Sequence, residues 1–194
     1  MIKRGLDILV SAFGLTVSLP LWTAIGIAIV LDDGWPILYS QRRVGRGGRI
    51  FHAYKFRSMA RDAEKHSGPV LAEENDPRIT RVGRLLRKTA LDELPQLINI
   101  FRGDMSWVGP RPERPEFVRQ FLKEIPGYGL RHRVRPGLTG LAQVYGRYHT
   151  APADKLRYDL HYLNNANLWL DFRLFVTSWL ITFKARWDSA QRKR

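Results

Sequence analysis

The chain contains no cysteine. That excludes a disulfide framework, a thiol nucleophile and a Cys-ligated zinc site, and it fits a cytoplasmic face. Acidic residues are scarce as well: 18 Asp and Glu stand against 32 Lys and Arg, for a formal net charge of +14. This balance favours an anionic partner, whether phosphorylated substrate, anionic lipid or nucleic acid, and charge alone does not choose among them. There is no P-loop, no dinucleotide fingerprint, no helical His-Glu-x-x-His site and no local motif around a nucleophilic serine. The histidines are scattered, and a lone one such as His132 or His149 is more often structural than catalytic. Chemistry is left to carboxylates and arginines, with or without a divalent ion.

One long hydrophobic run is present. From Ile8 through Leu31, 24 residues carry no charge, preceded by Lys3, Arg4 and Asp7 and closed by Asp32-Asp33-Gly34-Trp35-Pro36. The run is too long for a typical signal peptide and lacks a small-residue cleavage site, so it reads as a membrane segment. A straight helix of that length reaches roughly 36 Å at about 1.5 Å per residue, enough to cross a bilayer core of roughly 30 Å. Pro20 cannot donate to the Thr16 carbonyl and predicts a kink or break, with the Thr16 and Ser18 hydroxyls available to satisfy exposed carbonyls. Each leg is then of re-entrant length. Basic residues on both sides, Lys3 and Arg4 before and Arg42, Arg43, Arg46 and Arg49 after, place both ends in the cytoplasm. A helix-break-helix hairpin over residues 1–33 satisfies both observations; a spanning helix kinked at Pro20 is the alternative.

Residues 34–194 read as one membrane-associated unit of α+β class, mostly helical, in a chain of 194 residues with 26% charged and 44% hydrophobic residues. Ile37 to Phe56 predicts a β-hairpin around the turn Val44-Gly45-Arg46-Gly47-Gly48-Arg49. Ala60 to Asn75 is polar, a helix or a loop with no readable role. Asp76 as N-cap and Pro77 at the first helical position predict an amphipathic helix, with Arg78, Arg81, Arg84 and Arg87 along one side and Ile79, Val82, Leu85 and Leu86 on another. The arginine stripe is a solvated face or meets lipid phosphate in the headgroup layer. Leu168 to Arg173 and a helical pattern to Trp187 follow near the C-terminus, with an uncharged core, Leu174 to Phe183, too short to span. Trp169, Trp179 and Trp187 with Lys184 and Arg186 suit an interfacial helix, and packing into an ordinary core is the alternative.

Asp92 and Glu93 stand side by side just after Arg87 and Lys88. Near cations, such carboxylates stay ionised and can serve as nucleophile, base or hard-metal ligand; otherwise they merely complement a positive helix end. Gln96 to Phe101 predicts a short buried helix that stops at Arg102-Gly103. In Asp104 to Pro112, prolines on both sides of Arg111 fix an extended backbone and present its guanidinium from a stiff loop, an arrangement suited to phosphate. Val134 to Arg147 is a second Gly-punctuated basic loop.

Across essentially its whole length the chain resembles the bacterial sugar transferases, the monotopic phosphoglycosyl transferases. The resemblance is carried by Asp7 through Pro20, Tyr54-Lys55-Phe56-Arg57-Ser58-Met59, Asn75-Asp76-Pro77-Arg78-Ile79-Thr80, Leu91 to Gln96, Gly103 to Pro112 and Pro136 to Arg147. It is to the minimal catalytic core, without the extra N-terminal membrane helices of larger members.

That resemblance implies transfer of a sugar 1-phosphate from a UDP-sugar to polyprenyl (undecaprenyl) phosphate at the cytoplasmic face of the bacterial inner membrane, the first membrane step of surface polysaccharide or glycoconjugate assembly. Asp92 is implied as the nucleophile that carries a phosphosugar and releases UMP, Glu93 as partner of Mg2+, and Arg111 as a nucleotide-binding residue. Lys55, Arg57, Arg87, Gln143, Arg147 and Asp171 match other substrate-binding positions. Membrane lipids are implied partners and nucleic acid is not; a homodimer is compatible with the amphipathic surfaces. The chain departs from the family pattern at Leu19, Leu141 and Tyr145. Two rival readings are a noncatalytic, membrane-docked basic protein binding anionic lipid or nucleic acid, and a metal-dependent phosphohydrolase acting on a polyprenyl diphosphate.

Overall fold

The uncharged N-terminal run forms a single helix, α1 (Ile2–Asp33), with Pro20 inside it. The structure, a computed structural model, describes residues 2–63, 76–146 and 150–183. Of the two forms expected at Pro20, kink or break, the helix is not interrupted, because proline removes one donor while the ladder continues on either side. Contrary to expectation, the Thr16 and Ser18 hydroxyls do not take the Thr16 carbonyl but bond to carbonyls one turn or less upstream. Thr16 Oγ1 donates to the Ala12 carbonyl at 3.0 Å, Ser18 Oγ to that of Leu15 at 3.4 Å, and Trp22 Nε1 to Ser18 Oγ at 3.0 Å.

α1 is long and apolar enough to cross a membrane, and Leu9, Phe13, Val17, Leu19 and Leu31 are exposed. Yet it is attached to the remainder of the fold along its whole length. At its start, Lys3 Nζ meets Asp171 Oδ2 at 2.6 Å, and Arg4 donates to the carbonyls of Ile100 and Phe101 at 2.6 and 2.7 Å. The buried Asp7 accepts from Ser106 Oγ at 3.0 Å and from the Trp107 amide at 3.1 Å. Further along, Trp22 stands edge-on to Phe56 with centroids 5.1 Å apart, and Ile25 and Ile29 pack with Phe56 and Leu86. At its end, Asp32 Oδ2 accepts from the Val82 amide at 2.9 Å.

The predicted hairpin is present: β1 (Leu38–Val44) pairs antiparallel with β2 (Ile50–Phe56), from Leu38 opposite Phe56 to Val44 opposite Ile50. Its connection is a tight turn over Arg46–Gly48. The helix expected from Pro77 begins later. Asp76 does not cap it but is buried and gripped by Arg78, which donates from its amide and Nε to Oδ1 at 3.0 and 2.8 Å and from Nη2 to Oδ2 at 2.6 Å. Ile79 then pairs with Met59 as an isolated bridge. Only at Thr80, whose side chain accepts from the Gly83 amide at 2.9 Å, does α2 (Arg81–Lys88) begin. Thr80 wins as cap because Asp76 to Ile79 close a turn, with the Ile79 amide on the Asp76 carbonyl at 3.1 Å, and the chain is then bonded to Ser58 and Ala60 before the helix begins. Gly83 permits the approach: a Cβ there would lie 2.0 Å from the Ser58 carbonyl oxygen.

A turn over Leu91–Glu93 leads to α3 (Gln96–Arg102), which stops at Gly103 with φ of 96°. The fully buried Asn99 on α3 plugs the hairpin edge, accepting from the Tyr54 amide at 3.1 Å and donating to the His52 carbonyl at 2.8 Å. Next, β3 (Ser106–Val108) pairs in parallel with β4 (Gly137–Thr139), joining two stretches that the sequence presents as separate loops. Their backbones meet where a side chain cannot fit, since a Cβ on Gly137 would lie 2.1 Å from the Gly109 amide nitrogen. Between them lies α4 (Pro115–Glu124). After β4, part of the expected loop is a short helix, α5 (Leu141–Tyr145), followed by α6 (Pro152–Asn165) and α7 (Leu168–Phe183).

α7 reconciles the two readings of its sequence. Leu174 is fully buried in a core with Val108, Leu141, Val144 and Tyr162, while Trp169, Phe172, Val176, Trp179 and Leu180 are exposed. Lys184, Arg186 and Trp187 lie outside the described residues, as does most of Ala60 to Asn75.

Candidate active site

The acidic pair sits where α2 ends and α3 has not begun. Ala90 takes the left-handed conformation, φ 55°, which turns the chain out of α2 and into the Leu91–Glu93 turn. A non-glycine residue adopts that region at some energetic cost. Asp92 is buried, and Glu93 is partly so.

Three elements bring cations to the pair. Lys55, on β2 next to the buried Phe56, points away from the core because successive strand residues face opposite ways. Its Nζ lies 2.6 Å from Glu93 Oε1 and 3.7 Å from Asp92 Oδ2. Arg111, from the loop between β3 and α4, grips Glu93 with both terminal nitrogens, Nη2 on Oε1 and Nη1 on Oε2 at 3.2 Å. Arg87, in the last turn of α2, donates from Nε to Ser58 Oγ at 2.9 Å and adds its charge to the field at Asp92.

The two carboxylates are pushed apart. Burial raises the Asp92 carboxyl above its usual range and Glu93 adds to this, against the pull of Lys55, Arg87 and Arg111. For Glu93, burial also opposes ionisation, but Arg111 and Lys55 together outweigh it and hold the group well below the usual carboxylate range. Glu93 in turn raises Arg111 above its ordinary value. The expectation that carboxylates near cations stay ionised is thus refined: Arg111 and Lys55 hold Glu93 ionised, while burial opposes ionisation of Asp92. Adjacent acids with divergent environments mark a division of labour.

Other predicted residues are placed elsewhere. Arg57 is buried and holds the end of α1, donating to the carbonyls of Asp33 at 2.9 Å, Gly34 at 2.6 Å and Trp35 at 3.2 Å, and pairing with Asp33 Oδ2 at 3.2 Å. Asp171 has both oxygens engaged, Oδ1 by the Tyr162 hydroxyl at 2.7 Å and Oδ2 by Lys3. Gln143, on α5, donates to the Leu138 carbonyl at 3.2 Å. Arg147 and His149 lie outside the described residues. Of the arginine stripe, Arg81 and Arg84 are exposed, Arg78 is held by Asp76, and only Arg87 reaches the pair.

Sequence reasoning missed the support behind Arg111. Arg131 and Asp159, each only 3% exposed in its side chain, form a buried ion pair at 2.8 Å, and Arg131 also donates to the Arg111 carbonyl at 2.8 Å. Burial raises Asp159 to about 6 despite Arg131. Beside them, burial next to Arg131 lowers His132 to about 4, which leaves it neutral at physiological pH. A signal for Asp159 was present: Leu156, Asp159 and Tyr162 follow one another at helical spacing and are all buried, so the charge interrupts an apolar face.

Comparison with known proteins bears on the whole chain. The sequence profile described as bacterial sugar transferase matches residues 1–185. The UDP-N-acetylgalactosamine-undecaprenyl-phosphate N-acetylgalactosaminephosphotransferase of Aeromonas hydrophila is 48% identical over 174 residues, covering 88% of this chain and 41% of the relative. The UDP-glucose:undecaprenyl-phosphate glucose-1-phosphate transferase of Escherichia coli is 39% identical over 183 residues, 91% of this chain and 39% of the relative. The undecaprenyl-phosphate galactose phosphotransferase of Salmonella typhimurium is 38% identical over 192 residues, 91% of this chain and 40% of the relative. The chain thus spans about two fifths of the length of these three relatives.

Proposed function

This chain belongs to the bacterial sugar transferase family, and on that premise we propose that it transfers a sugar 1-phosphate from a UDP-sugar to polyprenyl phosphate. The observation that carries the proposal is a buried Asp92 with the Lys55 ammonium 3.7 Å from its Oδ2, next to a Glu93 gripped by Arg111. In the first half-reaction a carboxylate oxygen of Asp92 attacks the phosphorus that bears the sugar. The bond to the UMP oxygen breaks, UMP leaves with that electron pair, and a phosphosugar ester remains on Asp92. An oxygen of polyprenyl phosphate then attacks the same phosphorus, which frees the Asp92 carboxylate and yields the polyprenyl-diphosphate sugar. Both steps need positioning and charge neutralisation, which the three cations supply.

Magnesium belongs to the same proposal. Among the described residues no group of three or more acidic or histidine side chains could cage a metal, and the Glu93 oxygens are held by Arg111 and Lys55. The adjacent carboxylates fit an ion that takes one or two of them and completes its shell with substrate phosphate and water. Glu93, with Asp92 beside it, would hold it; when bound, the ion would neutralise charge on the diphosphate.

We further place the enzyme at the cytoplasmic face of the inner membrane, acting at the start of lipopolysaccharide, exopolysaccharide or other glycoconjugate assembly. We infer that α1, although helical through Pro20 and not the expected helix-break-helix, enters and leaves by one face; the attachment of both its ends, at Lys3 and at Asp32, to one body supports this. The exposed apolar faces of α1 and α7 suit lipid, and a homodimer is compatible with them. A noncatalytic basic protein gives no reason for a buried Asp92 beside Glu93.

The test is to incubate purified protein with magnesium and a panel of UDP-sugars without lipid acceptor. UMP release and a phosphosugar mass on Asp92 are expected, both absent in Asp92→Asn. Turnover at the wild-type rate in Asp92→Asn, or release of inorganic phosphate in place of UMP, would overturn the proposal.

A further inference from the structure

Four consecutive carbonyls of the Arg111 loop are each taken by a donor from outside the loop. Gly137 N donates to Pro110 O at 2.9 Å, Arg131 Nη2 to Arg111 O at 2.8 Å, Arg43 Nη1 to Pro112 O at 2.9 Å and Val44 N to Glu113 O at 3.0 Å. Prolines at 110 and 112 have no N–H, so this segment cannot build a ladder of its own and depends on outside donors.

Two of those donors are guanidinium groups, one buried at Arg131 and one partly buried at Arg43. Arg131 directs Nε to Asp159 Oδ2 and Nη1 to the Tyr128 hydroxyl, each at 2.8 Å, leaving Nη2 for Arg111. Arg43 directs Nη2 to Gln41 Oε1 and lies 3.8 Å from Glu113 Oε2. Burying a guanidinium is costly unless it is paired and hydrogen-bonded, and an apolar pair would serve packing as well. Here both cations, Arg131 buried and Arg43 partly so, converge on adjacent carbonyls of a single loop, the one that carries Arg111.

We propose that Arg131 and Arg43 are positioning residues for Arg111, fixing the backbone of residues 110–113 so that its guanidinium stays aligned with Glu93 and with an incoming phosphate. Asp159 and Tyr128 act one step behind, by orienting the Arg131 fork. The inference rests on the proposed role of Arg111 in donor binding.

A double-mutant cycle separates positioning from simple structural support. Arg131→Lys keeps the charge but loses the fork that reaches three acceptors at once. In an otherwise wild-type chain it should raise the donor KM about tenfold, the loss expected of one hydrogen bond from a charged donor, with kcat changed less than about twofold. In the Arg111→Ala background the same change should raise KM less than about twofold, because the group it positions is gone. Equal losses in both backgrounds would overturn the inference. Unchanged donor KM in Arg111→Ala alone would instead refute the role of Arg111, a distinguishable failure. If Arg131→Lys does not yield folded protein by thermal melting, Arg43→Lys, at a more accessible guanidinium, takes its place in the cycle, with the same losses expected and the same result overturning the inference.

Discussion

The ammonium of Lys55 lies 3.7 Å from Oδ2 of Asp92. That is too far for a good hydrogen bond but near enough to favour the carboxylate. Burial pushes Asp92 up, and Lys55 is the strongest pull in the opposite direction. Because the ionised form is the nucleophile, UMP release should increase as pH rises through the Asp92 pKa. In Lys55→Met that rise should move to higher pH. Single-turnover UMP release across a pH series measures it; an unmoved profile would contradict the assignment.

Arg57 and Asp171 separate structural from substrate roles. Arg57 spends both terminal nitrogens and Asp171 both oxygens within the fold, so Arg57→Lys and Asp171→Asn should lower stability by about 1–3 kcal/mol and leave the donor KM unchanged. Thermal melting in detergent alongside donor kinetics decides it. A wild-type melting temperature with a raised KM would return either residue to the substrate site.

Gly83→Ala should be among the more damaging single-methyl changes. The added Cβ would stand 2.0 Å from the Ser58 carbonyl oxygen, forcing α2 away from residues 58–60 at about 1–3 kcal/mol or more. Because Ser58 also holds Arg87, turnover should fall in the protein that remains folded. Denaturant titration with parallel activity assays tests both.

Asp7→Ala should detach the start of α1. It strands the buried Ser106 hydroxyl and the Trp107 amide, at about 1–3 kcal/mol for a buried polar group left unpaired. Asp7→Asn, which keeps an acceptor, should lose less. Thermal melts of the two variants give the order; an Asp7→Ala protein as stable as wild type would show that α1 does not need this contact.

What the sequence disclosed and what it concealed follow a physical division. The hairpin was legible because its register depends on local glycines in a short turn, and α3 because Gly103 ends it. The acidic pair and Arg111 were legible as chemistry, although not their mutual grip. The start of α2 was misjudged, since Asp76 looks like a cap until its carboxylate is taken by Arg78 two residues on. The β3–β4 pairing, the Arg131–Asp159 pair, the hold of Arg57 on the end of α1 and the pairing of Asp171 with Lys3 join residues far apart in the chain. No local pattern reports such contacts, apart from the charge that Asp159 places on an apolar helical face.

The attachment of α1 along its whole length makes it a keyed part. A lipid-facing helix ordinarily tolerates a shift in register, since one apolar residue serves a bilayer much like the next. Here Asp7 must meet Ser106 at one end while Ile29 and Asp32 meet Leu86 and Val82 near the other. Inserting a single residue near Pro20 would rotate everything beyond it by about 100° and advance it by about 1.5 Å. One set of contacts or the other would then be lost, although the hydrophobicity of the helix would hardly change. The helix is therefore a ruler whose length and phase are set by the protein body as well as by the bilayer.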